Sequence, residues 1–258
     1  MNYMNKIDEV REYVMERIKS TDLLSDPFDH KYVENVFPED FYQELISNIP
    51  EKSSYTPIVE TGSVSPGYSP ERFVFNLFDK KLIDTLDKQR KVFLETLTNV
   101  LVSDKFFTSV TTQFSKAIDN RLKNFSEDEK ERFGTSGFRF YFRSTLVKDF
   151  TKYNIGAHTD SIAKFVTFLF YIPTDNSLHK NGTSLYKPKI EVSHDRHFRA
   201  DETEKFFDKI KTCPFVPNSV LIFPRTSTSF HGVEEINIEQ KERNLLLLNY
   251  FFHKKNKS

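Results

Sequence analysis

The chain has 258 residues, of which 38% are hydrophobic, so it is long enough for one domain with a substantial core. Its 37 basic and 37 acidic residues cancel, which removes any long-range attraction to nucleic acid or to a membrane surface. The single cysteine, Cys213, excludes an internal disulfide and a cysteine-rich zinc or iron–sulfur site. The sequence contains no secretory signal and no apolar stretch of membrane-spanning length. We therefore expect a soluble cytoplasmic protein.

The first half of the chain carries hydrophobic residues at helical spacing. The predicted helices run over residues 5–20, from Phe37-Pro38 to Ile49, from Leu82 to Leu101, and from a cap at Asp104 to Ile118. Residues 51–71 are rich in serine, proline and glycine and are predicted to form a loop.

From residue 138 the hydrophobic period changes from helical to two, which is typical of half-buried strands. Phenylalanines at 138, 140 and 142 alternate with Arg139, Tyr141 and Arg143. Further strands are predicted at Leu146–Phe150, Lys164–Ile172, Thr183–Tyr186, Ser219–Phe223 and Arg243–Phe252. Short strands after a helical half favour the α+β class, with a jelly roll or antiparallel sandwich and helices packed on one sheet. Residues 188–215 are charged and irregular, and we expect a long insertion or a lid there.

One short motif points to a metal centre. His158-Thr159-Asp160 is the only His-x-Asp of the chain, and His231 follows 73 residues later. Two histidines and one carboxylate can hold one face of an octahedral Fe(II) and leave the opposite face open. Zinc accepts the same ligands, and a lone His-x-Asp also arises by chance, so the motif alone leaves both the metal and the role open.

A buried basic residue is predicted on the last strand. Arg243 lies twelve residues after His231 and opens a very apolar stretch. An inward-facing arginine needs an anion, and the distal carboxylate of an organic diacid would satisfy it with paired hydrogen bonds. The alternative is an ordinary salt bridge to Glu234 or Glu235.

These motifs carry a resemblance to the Fe(II)/2-oxoglutarate-dependent dioxygenases, in particular to the prolyl-4-hydroxylase-like branch. The matching stretches are YNIGAHTDSIAKFVTFLFYIPTD, NGTSLY, FVPNSVLIFPRTSTSFHGVEEI and ERNLLLLNYFF, and the early segment DPFDHKYVENVFPEDFYQELISNIP resembles small bacterial members. The resemblance implies one domain over 1–258. Its mainly helical part would be 1–137, and its double-stranded β-helix, or jelly-roll, core would be 138–253.

The resemblance also implies roles for individual residues. His158, Asp160 and His231 would be the iron ligands and the catalytic centre, and Arg243 would bind the C5 carboxylate of 2-oxoglutarate. Many prolyl hydroxylases use lysine at the position of Arg243. Some relatives carry a serine two residues further on, where this chain has a leucine, so the second contact to that carboxylate is unassigned. Tyr153 is a candidate hydrogen-bond partner of the cosubstrate and equally a packing aromatic.

The implied activity is hydroxylation of an unactivated C–H bond with release of succinate and CO₂. Fe(II), 2-oxoglutarate and O₂ would be required, and ascorbate is a further candidate. The substrate would be a small molecule or a peptide, with a prolyl residue suggested by the family alone, and neither nucleic acid nor a membrane is expected as a partner. Two rivals remain: a catalytically inactive jelly-roll binding module, and a zinc hydrolase, which the absence of an HExxH arrangement disfavours. The sequence does not indicate an oligomeric state.

Overall fold

The computed structural model describes residues 3–64, 67–194, 196–238 and 241–254. The helices are α1 Tyr3–Ser20, α2 Glu39–Ser47, α3 Lys80–Ile83, α4 Lys88–Leu101, α5 Asp104–Gln113, α6 Ser115–Lys123, α7 Glu127–Phe133 and α8 Ala200–Phe206. The strands are β1 Lys31–Glu34, β2 Thr56–Pro57, β3 Arg72–Asn76, β4 Phe140–Asp149, β5 Ile155–His158, β6 Lys164–Tyr171, β7 Thr183–Pro188, β8 Phe207–Cys213, β9 Ser219–Pro224, β10 His231–Val233 and β11 Arg243–Phe252. Within these ranges, no helix is long and apolar enough to cross a membrane.

The strands form two antiparallel sheets, so the structure is of mixed helix and antiparallel-sheet class, as the sequence predicted. The large sheet has the order β1-β9-β6-β11-β4-β3-β2, and the small sheet has the order β5-β10-β7-β8. From β4 onward the chain passes back and forth between the two sheets, and only β7 and β8 are consecutive strands of the same sheet.

The period-two pattern decides what each face of the large sheet contacts. On β11, Leu246, Leu248 and Tyr250 pack into a cluster that includes side chains of the helices. The alternate residue Leu245 belongs to a second cluster, which includes Leu185 of the small sheet. Helices therefore cover one face of the large sheet, and the small sheet covers the other.

The helix predictions were confirmed for α1 and α2. The two later predicted helices are each divided into two shorter helices. The predicted helix from Leu82 to Leu101 is two helices, because Asp87 begins α4 by accepting a hydrogen bond from the backbone N–H of Arg90. The predicted helix from Asp104 to Ile118 is also divided, at Phe114. Its N-cap is Ser103, whose hydroxyl accepts from the N–H of Phe106, and not Asp104.

The strand predictions found the buried central strands and missed most strands that are short or exposed. The segments predicted at 138–143 and 146–150 form the single strand β4, and the predicted loop at 51–71 contains β2. The expectation for residues 188–215 was wrong in part: α8 and β8 occupy 200–213, and β8 is an edge strand of the small sheet. Because three consecutive residues of β8 are solvent-exposed, its sequence lacks the apolar alternation of a half-buried strand.

Candidate metal centre

The three predicted metal ligands lie together at the junction of β5 and β10. His158 is the last residue of β5, Asp160 follows two residues later, and His231 is the first residue of β10. β10 runs antiparallel to β5 with His231 directly opposite His158. One potential ligand atom from each side chain lies within 4.8 Å of the others, and all three residues are buried. The pairing of two short strands thus brings together residues that are far apart in sequence.

Backbone carbonyls fix the orientation of both imidazoles. The Nδ1 atom of His158 lies 3.0 Å from the carbonyl oxygen of Gly156, and the Nδ1 atom of His231 lies 3.0 Å from that of Ser229. Because a carbonyl oxygen only accepts, each Nδ1 carries the proton and each Nε2 keeps a free lone pair. A ring held in this way is the arrangement expected of metal-bound histidines.

The carboxylate of Asp160 is held at both oxygens. Lys164 Nζ donates to Oδ1 at 2.6 Å, and the hydroxyl of Thr167 donates to Oδ2 at 2.6 Å. The side-chain amide of Asn249 lies 3.2 Å from the same hydroxyl. Burial raises the pKa of Asp160, but Lys164 and the two neighbouring histidines outweigh it and hold that pKa below its usual value. The ligand carboxylate is therefore ionised and positioned.

Burial also selects the metal-binding form of the histidines. Desolvation lowers the pKa of His158 and, together with the nearby His231 and His197, holds it well below the ordinary value. Desolvation likewise lowers the pKa of His231, against the opposing effect of Asp160. Both imidazoles are neutral at pH 7, which is the form that binds a metal ion.

Two buried arginines clamp the backbone that carries the ligand aspartate. Arg225 Nε donates to the carbonyl of Asp160 at 3.2 Å, and Arg121 donates to the carbonyls of Ile162 and Lys164 at 2.6 Å each. Glu129 of α7 pairs with both arginines, at 3.1 Å from Arg121 and 3.6 Å from Arg225. These contacts connect helix α7 to the backbone of residues 160–164.

We expect Glu129→Gln to destabilise the protein by about 3–5 kcal/mol, because it leaves two buried arginines without their shared counter-charge. Burial and then the neighbouring Arg225 lower the pKa of Arg121 to about 10, whereas Glu129 raises it. Denaturant unfolding of the variant measures the effect. The same substitution at Glu127, an exposed acid two residues earlier on α7, is the control and should change stability by less than about 1 kcal/mol. Equal stability of the two variants would contradict this role for Glu129.

Arg243 is fully buried and already has one ion-pair partner. Its Nη1 lies 2.6 Å from Asp149 Oδ2, and its Nε donates to the carbonyl of Asn181 at 2.6 Å. Asp149 also pairs with Arg72 through both of its oxygens, at 2.6 and 2.9 Å. The expected alternative pairing with Glu234 or Glu235 is absent; Glu234 pairs instead with Lys209. Two arginines share one carboxylate, so the cluster keeps a surplus positive charge.

Three polar atoms near this cluster are buried and have no hydrogen-bond partner among the described residues: Arg243 Nη2, the hydroxyl of Tyr171 and the hydroxyl of Thr183. They come from the start of β11, the end of β6 and the start of β7. The guanidinium carbon of Arg243 lies 5.9 Å from the Tyr171 ring centroid. Buried polar groups without partners are costly, so such a group of donors indicates a place for an anionic ligand.

Tyr153 lies in the loop between β4 and β5, and its side chain is fully buried. Its hydroxyl lies 3.1 Å from that of Tyr68, and the guanidinium of Arg72 is stacked 4.2 Å from its ring centroid. It therefore packs against the arginine cluster, and a direct contact with a cosubstrate stays a prediction.

The segment before α8 packs against one of the predicted metal ligands. The ring of His197 stacks on that of His158, with centroids 4.4 Å apart and planes at 13°. Arg196 pairs with Glu202 at 2.8 Å, and Arg199 pairs with Asp201 at 3.3 Å. The sequence of this charged segment places Arg196, His197 and Arg199 close together, a pattern that favours binding of an acidic substrate. The acids of α8 instead neutralise both arginines, and His197 is the member that contacts the ligands.

Gly156 allows this segment to approach β5. A Cβ atom at this position would lie 2.0 Å from the carbonyl oxygen of Phe198 and 2.8 Å from the hydroxyl of Thr203. Thr203 also accepts a hydrogen bond from the N–H of Ala157 at 2.8 Å. The base of the segment is thus fastened to the strand that ends in His158.

We expect Gly156→Ala to displace the segment from β5 and to destabilise the protein by about 1–3 kcal/mol, the usual range for overpacked cores. Hydrogen exchange of residues 196–206 measures the displacement. Gly62 offers a control, since a Cβ there meets no atom within 4 Å, although its positive φ of 68° adds local strain. Unchanged exchange in Gly156→Ala would contradict the close packing.

Comparison with known proteins finds similar structures but no similar sequences. No family model matches the chain, and no curated protein matches it. A prolyl-4-hydroxylase from Pseudomonas putida is similar at 11% identity, covering 94% of this chain and 98% of that one, with a TM-score of 0.49. A 2OG-Fe(II) oxygenase family oxidoreductase from Burkholderia pseudomallei is similar at 10% identity, covering 93% and 89%, with a TM-score of 0.47. A non-heme α-ketoglutarate-dependent carbocyclase from nogalamycin biosynthesis is similar at 11% identity, covering 94% and 85%, with a TM-score of 0.47.

Proposed function

We propose that the chain is an Fe(II)- and 2-oxoglutarate-dependent dioxygenase that hydroxylates an unactivated C–H bond. The observation that carries this proposal is the buried triad of His158, Asp160 and His231, with both Nε2 atoms free and the carboxylate ionised. Two imidazoles and one carboxylate on one side of a metal ion are the donor set of non-heme Fe(II) oxygenases. The residues present therefore fit an iron ion.

The strand order supports a double-stranded β-helix. Four adjacent strands of the large sheet are β9-β6-β11-β4, the small sheet is β5-β10-β7-β8, and the chain alternates between them. In such a fold the ends of β5 and β10 bring the ligands to one mouth of the barrel. We propose a single domain over 1–258, in which the helices of 1–137 support the large sheet and the jelly-roll core lies at 138–253.

Arg243 would bind the C5 carboxylate of 2-oxoglutarate. A carboxylate placed against its free Nη2 would neutralise the surplus charge that Arg72, Asp149 and Arg243 share. Tyr171 and Thr183 would donate their unpartnered hydroxyls to the same carboxylate. These two residues supply the second contact that the leucine two positions after Arg243 cannot make.

The overall reaction would convert R–H, 2-oxoglutarate and O₂ to R–OH, succinate and CO₂. Iron, when bound, would supply the binding and activation of O₂. Lys164 and Thr167 would hold the ligand carboxylate in place, and the interior leucines and phenylalanines would exclude water. His197 would cover one side of the mouth. The substrate would be a small molecule or a peptidyl group, including a prolyl residue.

The proposal is tested by the release of labelled CO₂ from 2-oxoglutarate labelled at C1. Purified protein should release it slowly without substrate when Fe(II) and O₂ are present. The zinc-loaded protein and the His231→Ala protein are the controls, and neither should release CO₂. Release that does not depend on Fe(II), or no release under any condition with a substrate panel, would count against the proposed function.

A further inference from the structure

Arg143 lies beside the network that holds the ligand carboxylate. On the face of the large sheet turned to the small sheet, Arg143 of β4 pairs with Asn249 of β11, and Asn249 pairs with Thr167 of β6. Thr167 donates to Asp160 at 2.6 Å. Directly paired residues have Cβ atoms about 4.5–5.5 Å apart. Arg143, Asn249 and Thr167 therefore form a row across three neighbouring strands. Arg143 lies two strands away from Thr167, the residue that donates to Asp160.

Arg143 is exposed, and no hydrogen bond or ion pair joins it to another residue in the part of the chain that the structure describes. Its guanidinium carbon lies 5.4 Å from the ring centroid of Phe251 and 5.8 Å from that of Tyr141. Those two rings stack on each other, with centroids 5.0 Å apart and planes at 13°. The rings of Tyr141 and Phe251 therefore pack against the Arg143 guanidinium, and its N–H groups remain available for hydrogen bonds to a ligand.

Other basic groups at this mouth already have partners. Lys164 is bound to Asp160, and Arg225 is bound to the carbonyl of Asp160 and paired with Glu129. His197 stacks on His158 from the other side. Among the described residues, Arg143 is thus a charged donor next to this network that is available to bind an incoming molecule.

We propose that the substrate carries a carboxylate or phosphate group, and that Arg143 binds this group on the platform of Tyr141 and Phe251 while the reacting carbon faces the metal. This proposal rests on the proposed function, and it names the substrate class and a specificity-determining residue. A guanidinium that stacks on aromatic rings and offers parallel N–H donors is well suited to either anion.

The test uses phenyl phosphate, whose ring fits the aromatic platform and whose phosphate fits Arg143. Calorimetric titration of the full-length, metal-free protein, with 2-oxoglutarate present, measures its Kd. Arg143→Gln should raise that Kd about tenfold, because it removes one charge-assisted contact to the phosphate in a solvent-exposed place. Arg132→Gln, an equal change of charge on α7, and Arg196→Gln, whose guanidinium pairs with Glu202, should leave it unchanged. Phenol should bind weakly and equally to all four proteins.

A second measurement locates the probe. With Mn(II) added, the phosphorus resonance of phenyl phosphate should broaden in the wild type, and the His231→Ala variant should abolish the broadening while preserving the calorimetric Kd. A wild-type Kd equal to that of Arg143→Gln, or no binding to the wild type, would overturn the proposal. Binding through Arg143 without broadening, where Mn(II) is shown to occupy the triad, would also overturn it. If Mn(II) does not bind the triad, the proposed function fails, and the calorimetric comparison still decides whether Arg143 is an anion site.

Discussion

Asp160→Ala is expected to retain the fold and to lose Fe(II) binding and turnover. The carboxylate is the only charged ligand of the triad, and its removal leaves two neutral imidazoles. We expect the Fe(II) affinity to fall by more than the roughly 10–100-fold that follows loss of an outer-shell partner. Equilibrium dialysis with Fe(II) under argon measures the affinity, and circular dichroism checks the fold. His158→Ala and His231→Ala should behave in the same way.

Thr167→Val is the matched control for this prediction. It preserves the shape of the side chain and the ligand itself, and removes only the hydroxyl that donates to Asp160 Oδ2. Its Fe(II) affinity should fall by about 10–100-fold, which is less than in Asp160→Ala. Near-normal iron affinity in Asp160→Ala would remove that residue from the ligand set.

Arg243→Gln should raise the KM for 2-oxoglutarate strongly while leaving Fe(II) binding unchanged. Loss of a buried charge-assisted contact costs on the order of 2–5 kcal/mol, which is roughly 30-fold or more in affinity. The fold should tolerate the change, because Arg72 keeps its two contacts to Asp149 and the cluster becomes neutral. The dependence of CO₂ release on 2-oxoglutarate concentration gives KM for each variant.

Tyr171→Phe is a milder change to compare with Arg243→Gln, because it removes one hydroxyl and no charge. A hydrogen bond to a charged group is worth about 1.5–3 kcal/mol, so KM should rise about tenfold or more and by less than in Arg243→Gln. Unchanged KM in Arg243→Gln would move the carboxylate contact to Lys164 or Arg225, which lie at the metal.

The sequence predicted the buried elements well because their patterns are strong. Apolar runs such as those of β6, β9 and β11 are typical of central strands of a covered sheet. The three-residue strand β10 and the exposed edge strand β8 have no such pattern, since they are fixed by pairing with distant neighbours and not by local propensity. The break at Phe114 likewise lies within a continuous helical period that tertiary packing interrupts.

The grouping of His158, Asp160 and His231 could be predicted from the sequence, whereas most of the residues that support this group could not. Thr167 and Asn249 did leave a signal: each is a polar residue at an inward-facing position of an otherwise apolar strand. The clamp formed by Glu129 and Arg121 left none, because their charges look like those of a solvated helix. Arg196 and Arg199 look in the sequence like free basic residues, because the sequence does not show that Glu202 and Asp201 of α8 pair with them.

The most direct test of the account is an anaerobic titration of the protein with Fe(II) and then with 2-oxoglutarate, followed in the visible spectrum. Iron held by His158, Asp160 and His231 should give a weak charge-transfer band only when 2-oxoglutarate is added, and the zinc-loaded protein should give none. Saturation should require more 2-oxoglutarate in Arg243→Gln, with the same band at saturation. A wild-type protein that binds Fe(II) at the triad and shows no band at saturating 2-oxoglutarate would contradict the account.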